Sequence, residues 1–215
     1  MKKIFFLLFV CCFFSCKEEA IPVDSLYFEN PQPLGDAELK TFPSDYLGIY
    51  KDADSVFIQI DKNRITKYTF AKSKIHKTEL DSLGKEFEMV NGKLINKKEN
   101  LFYDVRKVGD SLELSSKNSD TIFKFSEVQK LKRMKGNLVL NQKEEDYWYV
   151  KVLSLNKNQL KFRYFSMDDL PAIDSIVSKK PTVIDSVSRL INPSRREFKK
   201  ILGKKLSTEI IYNKI

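Results

Sequence analysis

From about residue 44 to the C-terminus, apolar residues recur at every second position, in runs too short for helices, with tight polar turns between them. Val56, Ile58 and Ile60 alternate with Phe57, Gln59 and Asp61, and Leu101, Tyr103 and Val105 alternate with Phe102, Asp104 and Arg106. Leu112 and Leu114 follow Gly109-Asp110, and Phe123 and Phe125 flank Lys124. Asn91-Gly92 separates EFEMV from KLINK. Asn and Gly tolerate the positive φ angles of a two-residue hairpin, so this dipeptide is a strong hairpin signal. The pattern gives about ten or eleven short strands. Parallel strands need crossovers of a dozen or more residues, which turns this short cannot supply. The predicted fold class is mainly β: an antiparallel meander or barrel-like sheet, with one or two C-terminal helices.

The run Asp146–Leu155 (DYWYVKVLSL) is the strongest core candidate. Trp148, Val150 and Val152 share one face, while Tyr147, Tyr149, Leu153 and Leu155 share the other, which predicts a central strand covered on both sides. Leu160, Phe162 and Tyr164 return on one face after a turn at Asn156–Asn158. Ser194-Arg195-Arg196-Glu197 reads as a capping box opening a helix. Phe198, Ile201 and Leu202 form its apolar stripe, Lys199 and Lys200 suit its negative end, and Gly203 suits a left-handed stop. A shorter helix is expected around Asp169–Val177 and a last strand at Leu206–Tyr212, while residues 178–193 fit no single element. Asp61-Lys62-Asn63-Arg64-Ile65 echoes Asn156-Lys157-Asn158-Gln159-Leu160, and Gly48 and Gly136 precede the two blocks. Two related meanders, 44–133 and 134–215, or repeated hairpin chemistry both account for the echo.

The N-terminus has a different character. Lys2 and Lys3 precede an eleven-residue apolar run, Ile4–Phe14, and then Ser15 and Cys16. A positive start, a short apolar stretch and a small residue at the cut make a signal peptide, here residues 1–15. A membrane-crossing helix would need about 20 apolar residues. Phe13-Phe14-Ser15-Cys16 resembles the lipobox of bacterial lipoproteins, although Phe stands where that family prefers Leu, Val or Ile and then a small residue. The resemblance implies that Cys16 carries a diacylglycerol and moors the chain to a bilayer. Lys17 is not the Asp that retains lipoproteins at the inner membrane, so the implied destination is the outer membrane. Lys17-Glu18-Glu19 is similar to a short charged surface-export tag, or is a plain solvated spacer. Residues 16–43 read as a tether, because Pro22, Pro31, Pro33 and Pro43 interrupt regular structure. Leu26-Tyr27-Phe28 is a cluster able to dock on the body.

Composition limits the remainder. Loss of residues 1–15 leaves 200 residues, enough for one domain or two small ones, and lowers the formal charge from +9 to +7. A hydrophobic share of 42% supplies a core rather than a disordered chain. All three Cys lie at or before position 16, so the body has no disulfide, no thiolate nucleophile and no Cys-rich metal site.

Candidate chemistry is sparse. His76 is the only histidine, against the usual needs of a hydrolytic triad or a two-His metal site. Ser154-Leu155-Asn156-Lys157 has Ser-x-x-Lys spacing, but it ends a predicted strand, where the two side chains diverge. Glu144-Glu145-Asp146 and Asp168-Asp169 are acidic clusters without a calcium-loop pattern, and Asp61-Lys62-Asn63 begins that pattern and fails. No phosphate-binding glycine loop is present. The expectation is no catalytic, cofactor or metal site, with Cys16 as the one site residue. Two basic stretches, Lys130/Lys132/Arg133/Lys135 and Arg195/Arg196/Lys199/Lys200/Lys204/Lys205, are solvated surface or attract anions. For an exported, lipid-held chain those anions are phosphate-bearing headgroups rather than nucleic acid.

Asp45-Tyr46-Leu47-Gly48-Ile49-Tyr50 resembles the Gly-x-Trp opening strand of lipocalin-like barrels, with Tyr50 in place of Trp. That resemblance implies a barrel able to enclose a small apolar ligand. Three functional readings follow. The first is a non-enzymatic envelope module that binds a ligand or protein partner. The second is a structural or accessory subunit without a small-molecule site. The third is a hydrolase acting through carboxylates alone. An enclosed cavity of roughly 300 Å³ or more, lined by Phe and Tyr, separates the first from the second.

Overall fold

A computed structural model describes residues 25–80 and 84–215; the signal peptide, Cys16 and the residues up to 24 lie outside the described residues. β1 (Ser25–Phe28) comes first, followed by a meander of β2 (Gly48–Lys51), β3 (Phe57–Ile60) and β4 (Arg64–His76), which ends in a single turn of helix, α1 (Lys77–Leu80). β5 (Phe87–Val90), β6 (Lys93–Asn96), β7 (Leu101–Val108) and β8 (Ser111–Lys124) follow as hairpins. β9 (Gln129–Met134), β10 (Asn137–Glu144), β11 (Tyr147–Asn156) and β12 (Gln159–Tyr164) form another run. α2 (Leu170–Asp174), β13 (Thr182–Val183), β14 (Ser188–Ile191), α3 (Arg195–Ile201) and β15 (Thr208–Lys214) complete the chain. The protein is mainly β, as the alternation predicts. Asn91 (φ 50°) and Gly92 (φ 77°) make the expected hairpin turn between β5 and β6.

All the described strands join one sheet, ordered β9-β10-β11-β12-β15-β2-β3-β4-β8-β7-β6-β5. A branch of β1, β14 and β13 shares an edge of β11 with β12: β1 pairs at Trp148 and Tyr149, and β12 from Lys151 to Asn156. Only β1 and β14 run parallel. The sheet curls but does not close into a barrel, which corrects the barrel-like alternative and the closed topology implied by the lipocalin-like resemblance. β9 pairs with β10 alone. Residues 39–46 pack beside its free edge: Leu39 N–H donates to Leu131 O (2.7 Å) and Phe42 N–H to Lys62 O (3.0 Å). Phe42 and Tyr46 then fill the opening with rings.

Two cores result. The concave side buries Phe42, Tyr46, Tyr50, Ile58, Ile60, Ile65, Phe123 and Phe162 among others. Tyr50 is fully buried and its hydroxyl donates to Tyr46 O (2.9 Å). Gly48, at φ +142°, lies against Lys214, whose ammonium is 5.6 Å from the Tyr50 ring centre. The second core lies on the opposite face of β10 and β11, under α2 and α3. It holds Val139, Trp148, Val150 and Val152 with Ile173, Phe198 and Ile201. β11 is therefore central and covered on both faces, as its sequence predicts. Phe28, Phe165 and Phe198 meet edge-on or tilted at 5.2–6.3 Å between centroids. Such pairs add about 0.5–1.5 kcal/mol each beyond area burial.

Several expectations need correction. Fifteen strands form among the described residues, not ten or eleven. Residues 178–193 supply β13 and β14. Residues 25–43 are not a tether: Leu26 and Phe28 are fully buried, and this segment belongs to the folded body. Pro31 and Pro33 do not free this segment, because a buried polar clasp holds it. Asn141 Oδ1 accepts from Gln32 N–H (2.6 Å), Asn141 Nδ2 donates to Gln32 O (2.7 Å), and Lys132 Nζ donates to Pro31 O (3.1 Å) and Pro33 O (2.9 Å). Strand length also differs. β4 and β8 pair from Arg64↔Lys124 to His76↔Ser111, far beyond the reach of β3, and project with β5–β7 as an arm. On the arm Leu94 and Leu114 are buried, while Phe70, Met89, Phe102 and Val108 are exposed. The capping box at Ser194 and Glu197 forms. Gly203, however, is not left-handed: its N–H bonds Lys200 O (3.0 Å), and a Cβ there would lie 3.2 Å from that oxygen.

Candidate functional site

The residues singled out in the sequence do not converge. Cys16 lies outside the described residues. His76 is exposed near the end of the arm, its Nδ1 2.8 Å from Thr78 Oγ1. Ser154 lies within β11, while Lys157 sits exposed in the next turn at φ 53°. Glu144 accepts from Tyr27 OH (3.1 Å), and Glu145 makes the β10–β11 turn at φ 53°. Asp169 accepts from Ser166 N–H (3.1 Å) and Ser207 N–H (2.8 Å), joining two segments rather than opening toward a ligand. No group of three or more His, Cys, Asp or Glu able to hold a metal forms among the described residues.

The two basic stretches behave differently. Strand alternation splits the first: Lys132 turns inward onto the Pro31 and Pro33 carbonyls, and burial holds it below the ordinary lysine range. Lys130 pairs with Glu38 at 2.9 Å, and Arg133 and Lys135 are exposed. The second stretch stays together on the solvent side of α3 and its exit.

The concave face is lined by buried rings, among them Phe42, Tyr46, Tyr50, Phe123 and Phe162. Near its mouth Lys151 stands 5.2 Å from the Tyr149 ring centre and 5.9 Å from that of Tyr164. Burial pushes both phenols up to about 12 and lowers Lys151. These are cation–π contacts within a packed wall.

The outer face of the same sheet carries a more open feature. Across the strands the register places Lys51 opposite Phe57, Phe57 opposite Tyr68, and Phe70 opposite Lys117, so these side chains share one side. Phe57 and Tyr68 stack in parallel, 4.9 Å apart at 3°. Phe70 stands edge-on to both, at 5.6 and 5.8 Å. Lys117 Nζ lies 3.7 Å above the Tyr68 ring centre, and Lys51 Nζ 5.6 Å from that of Phe57. Lys72 reaches Glu113 only at 3.9 Å. Lys51, Ser55, Phe57, Phe70 and Lys72 line an open concavity of about 390 Å³. Phe70 is 45% exposed, a large aromatic surface left to water. Ile215, which is exposed and bonded through its N–H to Ile49 O, extends the apolar strip along β2.

The alternation sets Phe57 with Gln59 and Asp61, on the face opposite Val56, Ile58 and Ile60. The available signal was an aromatic residue at a register where an antiparallel sheet usually shows a polar one. Tyr68 and Phe70 come from β4, the next strand of the same hairpin, whereas Lys117 comes from β8, far along the chain, and strand pairing gathers them. No helix among the described residues is long and apolar enough to cross a membrane. Comparison with protein-family models, curated proteins and solved structures finds no match.

Proposed function

We propose that this protein is a cell-envelope lipoprotein, moored to the outer membrane by lipid on Cys16, that works without catalysis by docking a protein partner on the outer face of its sheet. The observation carrying the reading is the exposed Phe57–Tyr68–Phe70 cluster ringed by Lys51, Lys72 and Lys117. An aromatic centre with a polar rim is the anatomy of a protein interface. Of the three ammonium groups, Lys72 alone has a carboxylate within 4.0 Å among the described residues, that of Glu113 at 3.9 Å, and this excess of positive charge favours a partner with an acidic rim. The concave face, lined by buried rings, supports contact over enclosure of a small apolar ligand.

A photo-crosslinking residue at position 70 tests the partner in cells. A discrete adduct is expected, and it is lost when Lys51, Lys72 and Lys117 become Glu. An adduct unchanged by those substitutions, or equally strong from position 183 on β13, refutes the surface. Mooring is tested separately with radiolabelled fatty acid, which wild type should incorporate and Cys16→Ser should not.

A further inference from the structure

The solvent side of α3 is a field of cations with few counter-charges. Arg195, Arg196, Lys199, Lys200, Lys204 and Lys205 are all exposed, while Phe198, Ile201 and Leu202 point into the core. Asp36 engages Arg195. Among the described residues, none of the other five has a carboxylate within 4.0 Å. The fold adds one more cation from far away in sequence. Lys135, in the β9–β10 turn at φ 50°, brings its ammonium to 4.0 Å from the place a Cβ would take at Gly203. It too lacks an ion-pair partner there, and it sits at the negative end of the helix. Glu197 is the one carboxylate within the helix, and it is occupied by Ser178 and Ser194.

We infer that this face, formed by Arg196, Lys199, Lys200, Lys204, Lys205 and Lys135, docks on a bilayer rich in anionic phosphate headgroups. The inference rests on the lipidation of Cys16, which supplies the bilayer. The cations are spread over the solvent side of the helix and its exit, an arrangement that suits an array of anions. β1, the first strand among the described residues, ends beneath α3: its Phe28 packs edge-on against Phe198, 5.9 Å between centroids. Residues 17–24 separate Cys16 from β1, eight residues, so Ser25 lies at most about 30 Å from Cys16. Attraction to a charged surface fades within about 8 Å at physiological salt, and a tether of at most about 30 Å keeps the face at high effective concentration beside the headgroups, where that attraction can capture it. The aromatic cluster of Phe57, Tyr68 and Phe70 lies on β3 and β4, apart from the core that α3 covers.

The test uses the chain from residue 16 with Cys16→Ser, so that no acyl chain contributes. Sedimentation with vesicles of phosphatidylcholine is compared with vesicles holding about 30 per cent phosphatidylglycerol. Binding at least tenfold stronger to the anionic vesicles is expected, falling as salt rises from about 0.05 to 0.3 M. Each lysine near such a surface is worth about fivefold in partition, so Lys199→Glu, Lys200→Glu and Lys204→Glu together should cost well over tenfold. The same reversal at Lys85, Lys98 and Lys107 on the arm should cost little. Equal binding to both vesicles, or equal loss from the two triple variants, overturns the inference. Fatty-acid labelling of the wild-type chain reports on Cys16 independently, so the two readings fail separately.

Discussion

Asn141→Ala tests whether the Pro-containing segment before β2 belongs to the fold. Asn141 is fully buried in the middle of β10, and its amide does for Gln32 what a neighbouring strand would do, accepting from the N–H and donating to the carbonyl. Gln32 is itself fully buried, so neither group can turn to water. Truncation orphans one buried donor and one buried acceptor, each costing about 1–3 kcal/mol. The longer 3.3 Å contacts of Nδ2 to Lys130 O and Val139 O add little. A water entering the vacated space would bring the total toward the low end, giving about 3 kcal/mol. With a urea m-value of about 2 kcal/mol/M, the midpoint should fall by about 1.5 M. The segment should also open before the body does, so brief proteolysis should cut between residues 29 and 40 in the variant and not in wild type. A midpoint shift below about 0.5 M, or unchanged protection of that segment, would refute the clasp.

Glu197 provides a pH test. Hydrogen bonds from Ser178 and Ser194 hold its carboxyl down at about 2 in the folded protein, below the ordinary carboxylate value. Folding therefore favours the ionised form, so the stabilisation is complete above about pH 5 and fades as pH falls toward 2. Because the group borders solvent, the contribution is about 1–2 kcal/mol, and Glu197→Gln should flatten pH-dependent melting in that window. Gly48→Ala should cost about 2 kcal/mol in urea unfolding, since φ is +142° and the new Cβ would meet Lys214 Cε at 2.7 Å, forcing that lysine from its place by Tyr50. Phe198→Ala should cost about 3–5 kcal/mol by removing a fully buried ring from against Phe28, whereas Phe70→Ala, which removes a half-exposed ring from two edge-on contacts, should cost only about 1 kcal/mol by the same measurement.

Local chemistry was legible in the chain. The Asn91-Gly92 turn, the capping box at Ser194 and the two-sided burial of Trp148–Leu155 all follow from backbone preferences and side-chain period, which act over a few residues. The resemblance of Phe13–Cys16 to a lipobox is likewise a matter of adjacent residues. Long-range decisions were not legible. Prolines at 31 and 33 announced a tether, yet Asn141 and Lys132, about a hundred residues away, convert that stretch into core. Lys130, Lys132, Arg133 and Lys135 look like one basic run, yet the fold buries Lys132 within β9 and the β9–β10 turn sends Lys135 to α3.

The sequence by itself determined that the body would be antiparallel β with a capped C-terminal helix, because periodicity and turn residues are written in neighbours. The tertiary structure alone decided whether the sheet closed, where the chain's first strand lodged, and which aromatic and basic side chains came to share a surface. Those outcomes depend on pairings between segments far apart in the chain, and a period of two specifies which face a residue takes without specifying which strand will lie beside it.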